Sequence, residues 1–147
     1  MIFIGADHRG FEIKENIKKY FIEHNIFFED CGDKIYNEDD DYPDIAFLVG
    51  QNVIKDSSNY GILICYTGEG MCIAANKVRG VRAALSTDIN SVKLSREHNN
   101  ANILILNSEN PFTNIIEMIE LFLNTPFSTD ERHHRRVQKI LDYENSN

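Results

Sequence analysis

The sequence predicts an α/β domain in which five parallel strands form one sheet with helices on both faces. Three observations carry this. Short apolar runs alternate with longer stretches of helical period from one end of the chain to the other. The run Ile62, Leu63, Ile64 is apolar on both faces, as a strand buried between two helical layers must be. Glycine-bearing turns, Asp7-His8-Arg9-Gly10 and Thr67-Gly68-Glu69-Gly70, stand where a strand passes into a helix.

Residues 2–6 form the first strand. Asp7 to Gly10 then turn into a helix over residues 11–24, whose Phe11, Ile13, Ile17 and Phe21 lie between charged residues. His24 ends that helix, where a histidine suits the helix dipole. Residues 26–29 read as the second strand. The loop after it, residues 30–42, is long and acidic and borders a candidate site. Its run Glu38-Asp39-Asp40-Asp41 reads most simply as solvated, and it lacks the spacing of an EF-hand. Pro43 suits the first turn of a helix reaching Lys55. A polar linker, residues 56–59, precedes the third strand, which ends at Cys65. Residues 71–77 favour a helix, with Gly80 suited to its C′ position. Residues 81–85 make a fourth strand, Asp88 begins a helix that reaches Glu97, and residues 102–106 make the fifth strand. Pro111 opens a helix with Ile115, Ile116, Ile119, Phe122 and Leu123 on its apolar face. A basic, mostly helical tail runs from residue 132 to 143.

At 147 residues the chain makes one domain, residues 1–147, with room for a sizeable core. Its hydrophobic and charged fractions, 42% and 26%, are those of an ordinary globular protein. A net charge of −8 argues against nucleic-acid binding by bulk electrostatics. No long apolar segment suggests a membrane span, and Met1-Ile-Phe-Ile resembles a strand rather than a signal peptide. Cys31, Cys65 and Cys72 are an odd number without paired zinc-type spacing, which fits a reduced cytoplasmic protein; Cys31 and Cys72 read as packed residues.

Chemistry concentrates after the third strand. Gly68 and Gly70 let a ligand approach the backbone, and amides ahead of a helix N-terminus favour an anion. Cys65 and Thr67 flank that spot. The alternative is a tight strand-to-helix turn beside a buried cysteine. The dinucleotide fingerprint fails, since Ile73 stands where a third glycine belongs, and no phosphate-loop motif exists. In parallel α/β sheets ligands bind beyond the carboxyl ends of the strands, where Asp7-His8 and Cys65 to Gly70 both fall. An adjacent carboxylate can orient an imidazole, although Asp-His-Arg-Gly also serves as a capped turn. A helix ending at Arg96-Glu97-His98-Asn99 returns to the opposite edge unless it stops short. Arg132-His133-His134-Arg135-Arg136 is a basic cluster in an acidic chain, either a solvated tail or a match for the oxygens of a small phosphorylated ligand.

Taken together, these residues resemble the ribose-5-phosphate isomerase B family, in the sugar-phosphate isomerase group that includes galactose-6-phosphate isomerase. The likeness runs nearly end to end. It is carried by Gly5-Ala6-Asp7-His8-Arg9-Gly10-Phe11, Asp41-Tyr42-Pro43-Asp44, Gly61-Ile-Leu-Ile-Cys65, Thr67-Gly68 and Gly70-Met71. Ile73-Ala-Ala-Asn-Lys-Val78, Gly80-Val-Arg-Ala-Ala84, Arg96-Glu-His-Asn99, Ala101-Asn102, and Arg132-His133 with Arg135-Arg136-Val137 complete it. The resemblance implies a three-layer, Rossmann-like (flavodoxin-like) sandwich with a C-terminal helical tail. It implies a homodimer whose sites are shared between subunits, with a tetramer as a larger assembly, and an aldose–ketose isomerisation without cofactor or metal. By resemblance Cys65 is the base, Thr67, Gly68, Glu69 and Gly70 cradle the enediolate, and Asp7 and His98 assist ring opening. Asn99 and Tyr42 then position hydroxyls, while His8, Arg132 and Arg136 bind phosphate. A helix N-terminus lowers a thiol's pKa, which favours a Cys65 thiolate.

Three departures from the family pattern bear on substrate choice and turnover more than on fold. Tyr66 stands where the family has glycine, Glu69 where it has a small or aliphatic residue, and Asn107-Ser108-Glu109 where it has Gly-x-Arg. Relatives that use a glutamate as base carry it at the position of Met71, which leaves Cys65 as the available candidate here; Glu69 stands two residues too early, and only a shifted loop brings it in. The other readings are an isomerase of a six-carbon sugar phosphate, an impaired relative that binds a sugar phosphate or nucleotide as a regulatory module, and a flavodoxin-type cofactor binder.

Overall fold

In the computed structural model, which describes residues 1–146, β1 (Ile2–Ala6) leads through α1 (Phe11–Glu23) to β2 (Phe28–Asp30). Next come α2 (Tyr42–Val53), β3 (Tyr60–Cys65), α3 (Glu69–Ala75), β4 (Ala83–Leu85) and α4 (Ile89–Asn99). The chain ends with β5 (Ile103–Asn107), α5 (Phe112–Asn124) and α6 (Glu131–Ser146). All strand pairs are parallel, in the order β2-β1-β3-β5-β4. The predicted three-layer sandwich with five parallel strands and a C-terminal helix is therefore the fold observed.

β3 lies in the middle of the sheet and sorts the two cores. Ile62 and Ile64 pack into a cluster with Ile17 and Phe21 of α1, Val92 of α4, and Ile115, Ile119 and Phe122 of α5. Leu63 and Cys65 point the other way, against Ile45, Ala46 and Val49 of α2 and Met71 and Ala75 of α3. Ile62, Leu63 and Ile64 are each 0% exposed. Burying each such side chain stabilises the fold by about 1.5–3 kcal/mol, which is why so short a run suffices to mark a central strand. α6 lies on α4, with His133 and Val137 buried. Among the described residues no helix is long and apolar enough to cross a membrane.

Several element ends differ from the sequence expectation for local reasons. Ile26 closes α1, its amide donating to the Phe21 carbonyl after Asn25 turns the chain at φ 55°, so β2 starts two residues late. The Arg82 amide donates to the Asn102 side chain, so the β4 ladder begins at Ala83. α3 stops at Ala75 with Asn76 as its C-cap. Gly80, at φ 87°, therefore belongs to the later turn and is not the C′ residue of α3.

From β1 the chain moves outward to β2 and then returns to β3 on the other side of β1. This reversal opens a crevice at the carboxyl ends of β1 and β3, where Asp7 and Cys65 stand. The long loop after β2 reaches the same edge. Its start is held by the Cys31 amide on the Ile4 carbonyl and by Lys14. The Lys14 ammonium, 0% exposed, binds Asp30 at 2.8 Å, Glu15 at 2.7 Å and the Asp33 carbonyl at 3.0 Å. Against a burial penalty, Lys14 and Lys18 hold Asp30 below the usual carboxylate range.

Candidate active site

The turn after β3 wraps around the Cys65 sulfur. Its amide at Gly68 donates to Sγ at 3.1 Å, and the amides of Met71 and Thr67 are directed at the same atom. The turn closes because Gly68 sits at φ 89°, where a Cβ would stand 2.3 Å from the Leu85 side chain. Gly70 has a different reason. A Cβ there would meet the Tyr42 ring at 2.8 Å, so the first residue of α2 lies directly against the first turn of α3. Thr67 and Glu69 are exposed, and the Thr67 hydroxyl accepts from the Glu69 amide at 3.4 Å.

The expectation of a lowered thiol pKa is overturned. Burial pushes Cys65 above the usual range, and the Asp7 carboxylate adds to the rise; the three amides pull the other way without winning. Cys65 is only 6% exposed, and desolvation of a thiolate outweighs the partial charges of a seven-residue helix. Asp7 accepts the amides of Arg9 at 3.0 Å and Gly10 at 3.1 Å, so it does cap its turn. Burial raises its pKa as well, and the facing Asp40 adds to this against the pull of those amides and of His8. A thiol and a carboxyl, both biased toward their protonated forms, thus share the crevice.

One residue at this edge, Asp40, escaped the sequence reading, and a second, Arg9, takes a position that reading did not give it. Asp40, read as solvated, has a side chain only 6% exposed and binds His8 Nδ1 at 2.6 Å. Arg9 lies over the Tyr66 ring, 4.9 Å from its centre, so the pair covers the rim beside Cys65. Arg9, Tyr66 and Glu109 are all exposed. The two buried side-chain atoms that lack hydrogen bonds among the described residues, Ser86 Oγ and Asn110 Nδ2, both lie just past the carboxyl ends of β4 and β5.

The remaining candidates gather at the other edge. α4 returns along the sheet to the amino end of β5, where the Gly61 amide donates to the Asn102 carbonyl. Cys65 instead pairs with Asn107 at the far end of the ladder. Four residue steps at about 3.3 Å place some ~13 Å of sheet between the two levels. His98 stacks on His133, with ring centres 4.1 Å apart. Burial holds His133 below the usual histidine range, and the facing His98 lowers it further. Asn99 is exposed beside a cavity of about 390 Å³ that Arg82, Ile140 and Glu144 also line. Arg132 and Arg136 are exposed on α6, and Arg132 reaches Asp130 at 3.4 Å. One chain therefore brings together Asp7, His8, Tyr42, Cys65, Thr67, Gly68, Glu69 and Gly70, and keeps His98, Asn99, Arg132 and Arg136 apart from them.

Comparison with known proteins bears on this arrangement. Residues 2–140 match the family model described as Ribose/Galactose Isomerase. The ribose-5-phosphate isomerase B of Mycobacterium tuberculosis is 34% identical over 144 residues, covering 97% of this chain and 89% of its own. The crystal structure of ribose-5-phosphate isomerase B from Mycoplasma genitalium with bound ribulose-5-phosphate superposes with a TM-score of 0.94 at 42% identity, covering 99% of this chain and 97% of that one. The type B ribose 5-phosphate isomerase of Trypanosoma cruzi gives a TM-score of 0.90 at 44% identity, with 99% of each chain covered. Likeness this close, over nearly the whole of each chain, makes this protein a member of the ribose/galactose isomerase family.

Proposed function

We propose that this chain is an aldose–ketose isomerase that interconverts ribose 5-phosphate and ribulose 5-phosphate, with Cys65 as the base. The observation that carries the reading is a buried thiol, gathered by backbone amides beside a buried carboxyl, at the crevice where this fold binds ligands. As thiolate, Cys65 takes the proton from C2 of the open-chain aldose. The freed electron pair forms the C1–C2 double bond, and the charge of the cis-enediolate settles on oxygen. The same sulfur then returns the proton to C1 as the hydroxyl proton moves from O2 to O1, so no redox partner is needed. The Thr67–Gly70 turn supplies donors for the oxyanion. Asp7, on the turn beside Cys65, assists proton transfer at the ring oxygen when the furanose opens, and burial raises its pKa in the direction that role needs.

His98, Asn99, Arg132 and Arg136 serve a partner's site in this reading. Their place at the opposite edge supports a homodimer with two shared sites, from which a tetramer can be built. His98 then completes ring opening, Asn99 and Tyr42 hold hydroxyls, and His8 with the two arginines holds the phosphate. Three free thiols suit the reducing cytoplasm. Arg9 over Tyr66 narrows the rim beside Cys65, which favours a five-carbon sugar over a six-carbon one.

The test is turnover without added cofactor on ribose 5-phosphate and on a six-carbon aldose 6-phosphate. The reading predicts conversion of the first with a clear preference over the second. Binding of both with no turnover of either overturns it in favour of a regulatory sugar-phosphate module.

A further inference from the structure

The acidic run 38–41 divides in the fold. Glu38, Asp39 and Asp41 are exposed, but Asp40 turns inward to His8, 32 residues earlier in the chain, with Nδ1 to Oδ1 at 2.6 Å. The loop is fixed on both sides of this contact. Lys14 holds the Asp33 carbonyl, and Asp41 is the N-cap of α2. A carboxylate oxygen only accepts, so the hydrogen of this bond sits on Nδ1 in either charge state of the ring. That leaves Nε2 as the second nitrogen of His8, without a hydrogen-bond partner among the described residues, on a side chain 31% exposed.

We propose that Asp40 is a positioning residue that holds His8 by Nδ1 and thereby presents Nε2 to the phosphate of the sugar. In the complex both ring nitrogens donate, Nδ1–H to Asp40 and Nε2–H to a phosphate oxygen. The imidazole is then held between two anions at a fixed angle. The charged groups next to His8 in the chain face elsewhere: Asp7 is turned back onto its own loop amides, and the exposed Arg9 lies over Tyr66. Neither holds the ring, so its orientation depends on Asp40. The proposal rests on the reading of His8 as a phosphate ligand and adds the residue through which that ligand is set.

The first readout needs no substrate. Long-range 1H–15N spectra of the full chain show a hydrogen-bonded Nδ1–H on His8, and Asp40→Ala removes it. With ribose 5-phosphate, Asp40→Ala raises KM about tenfold while kcat stays within about twofold, and Asp40→Glu recovers part of both the Nδ1 signal and the KM. An unchanged KM in Asp40→Ala, beside a raised KM in His8→Ala, overturns the positioning role and leaves His8 a ligand. A KM that His8→Ala does not move overturns both. A KM that falls in Asp40→Ala makes Asp40 a latch that the phosphate must displace, and also overturns the proposal. Titration with inorganic phosphate, followed on the Nε2 shift of His8, gives the same comparison without turnover, so failure of the isomerase reading registers separately.

Discussion

Gly68→Ala tests the turn on which the site depends. The residue sits at φ 89°, and the new Cβ would lie 2.3 Å from Leu85 Cδ1 and 3.2 Å from Ile105 Cγ2. The left-handed backbone costs an alanine about 1–2 kcal/mol. Overpacking against Leu85 adds about 1–3 kcal/mol. The sum, about 2–5 kcal/mol, corresponds in a chain of this size to a fall in Tm of about 5–15 °C. Denaturant unfolding measures the loss directly, and a double-mutant cycle separates its parts. Adding Leu85→Ala removes the colliding methyl groups but not the backbone strain. The double variant should thus be more stable than the sum of the singles by about 1–3 kcal/mol. The same substitution tilts the Gly68 amide away from the Cys65 sulfur, so turnover should fall by more than about tenfold even below the melting range. A loss under about 0.5 kcal/mol, or a cycle with no coupling, refutes the geometry on which this reasoning stands.

Arg132→Ala and Arg136→Ala should each raise KM for the phosphorylated sugar by removing a charge-assisted contact of about 1.5–3 kcal/mol, read from initial rates. At a substrate concentration low enough that Arg136→Ala and Cys65→Ala each show no turnover alone, mixing them should restore activity, because one site in the mixed dimer is then intact; verified mixed dimers with no activity exclude shared sites. Since Cys65 is held above the usual thiol range, kcat/KM should climb with pH across neutrality, as the thiolate fraction grows, and level off only in the alkaline range. A plateau already reached at neutral pH shows that another group is the base. Glu109 is exposed, so its repulsion of a phosphate at ~4 Å is only about 1 kcal/mol, and Glu109→Arg should tighten sugar-phosphate binding modestly. Tyr66→Gly, which also removes the ring beneath Arg9, should relax selection between five- and six-carbon sugar phosphates, measured across a panel of both.

Much of the fold was legible because each layer leaves its own period in the chain. The apolar run in β3 and the spacing of Ile115, Ile119 and Phe122 in α5 admit few other readings. The edge strands were less legible. Ile26 looks like strand but closes α1, and Arg82 looks like strand but answers the side chain of Asn102; both choices are made by partners far away in the sequence. The order that places β5 inside β4 is likewise a matter of packing.

In the site, Cys65 and its glycine turn were legible from residue type and position. The direction of the thiol's shift was not, because a helix N-terminus is visible in sequence whereas the degree of burial is not. The His8–Asp40 contact joins a turn to a loop 32 residues away, and nothing in an acidic run marks which carboxylate turns inward. His98 was ambiguous for a plainer reason. Only the full length of α4 decides which edge of the sheet it reaches, and it ends at the edge opposite Cys65.

Proton transfer by Cys65 is tested most directly by ribose 5-phosphate turnover in D₂O, without cofactor, in the wild-type chain and in Cys65→Ala. The account predicts that the wild-type chain forms ribulose 5-phosphate, with solvent deuterium at C1 only in those turnovers in which the Cys65 thiol exchanges its proton before returning it. Cys65→Ala should fold and bind substrate but lose about 10²–10⁴-fold in rate, the usual contribution of a positioned base. Cys31→Ala and Cys72→Ala, which alter packed thiols, should keep the wild-type rate. Near-normal turnover by Cys65→Ala, or no turnover by the wild-type chain, contradicts it.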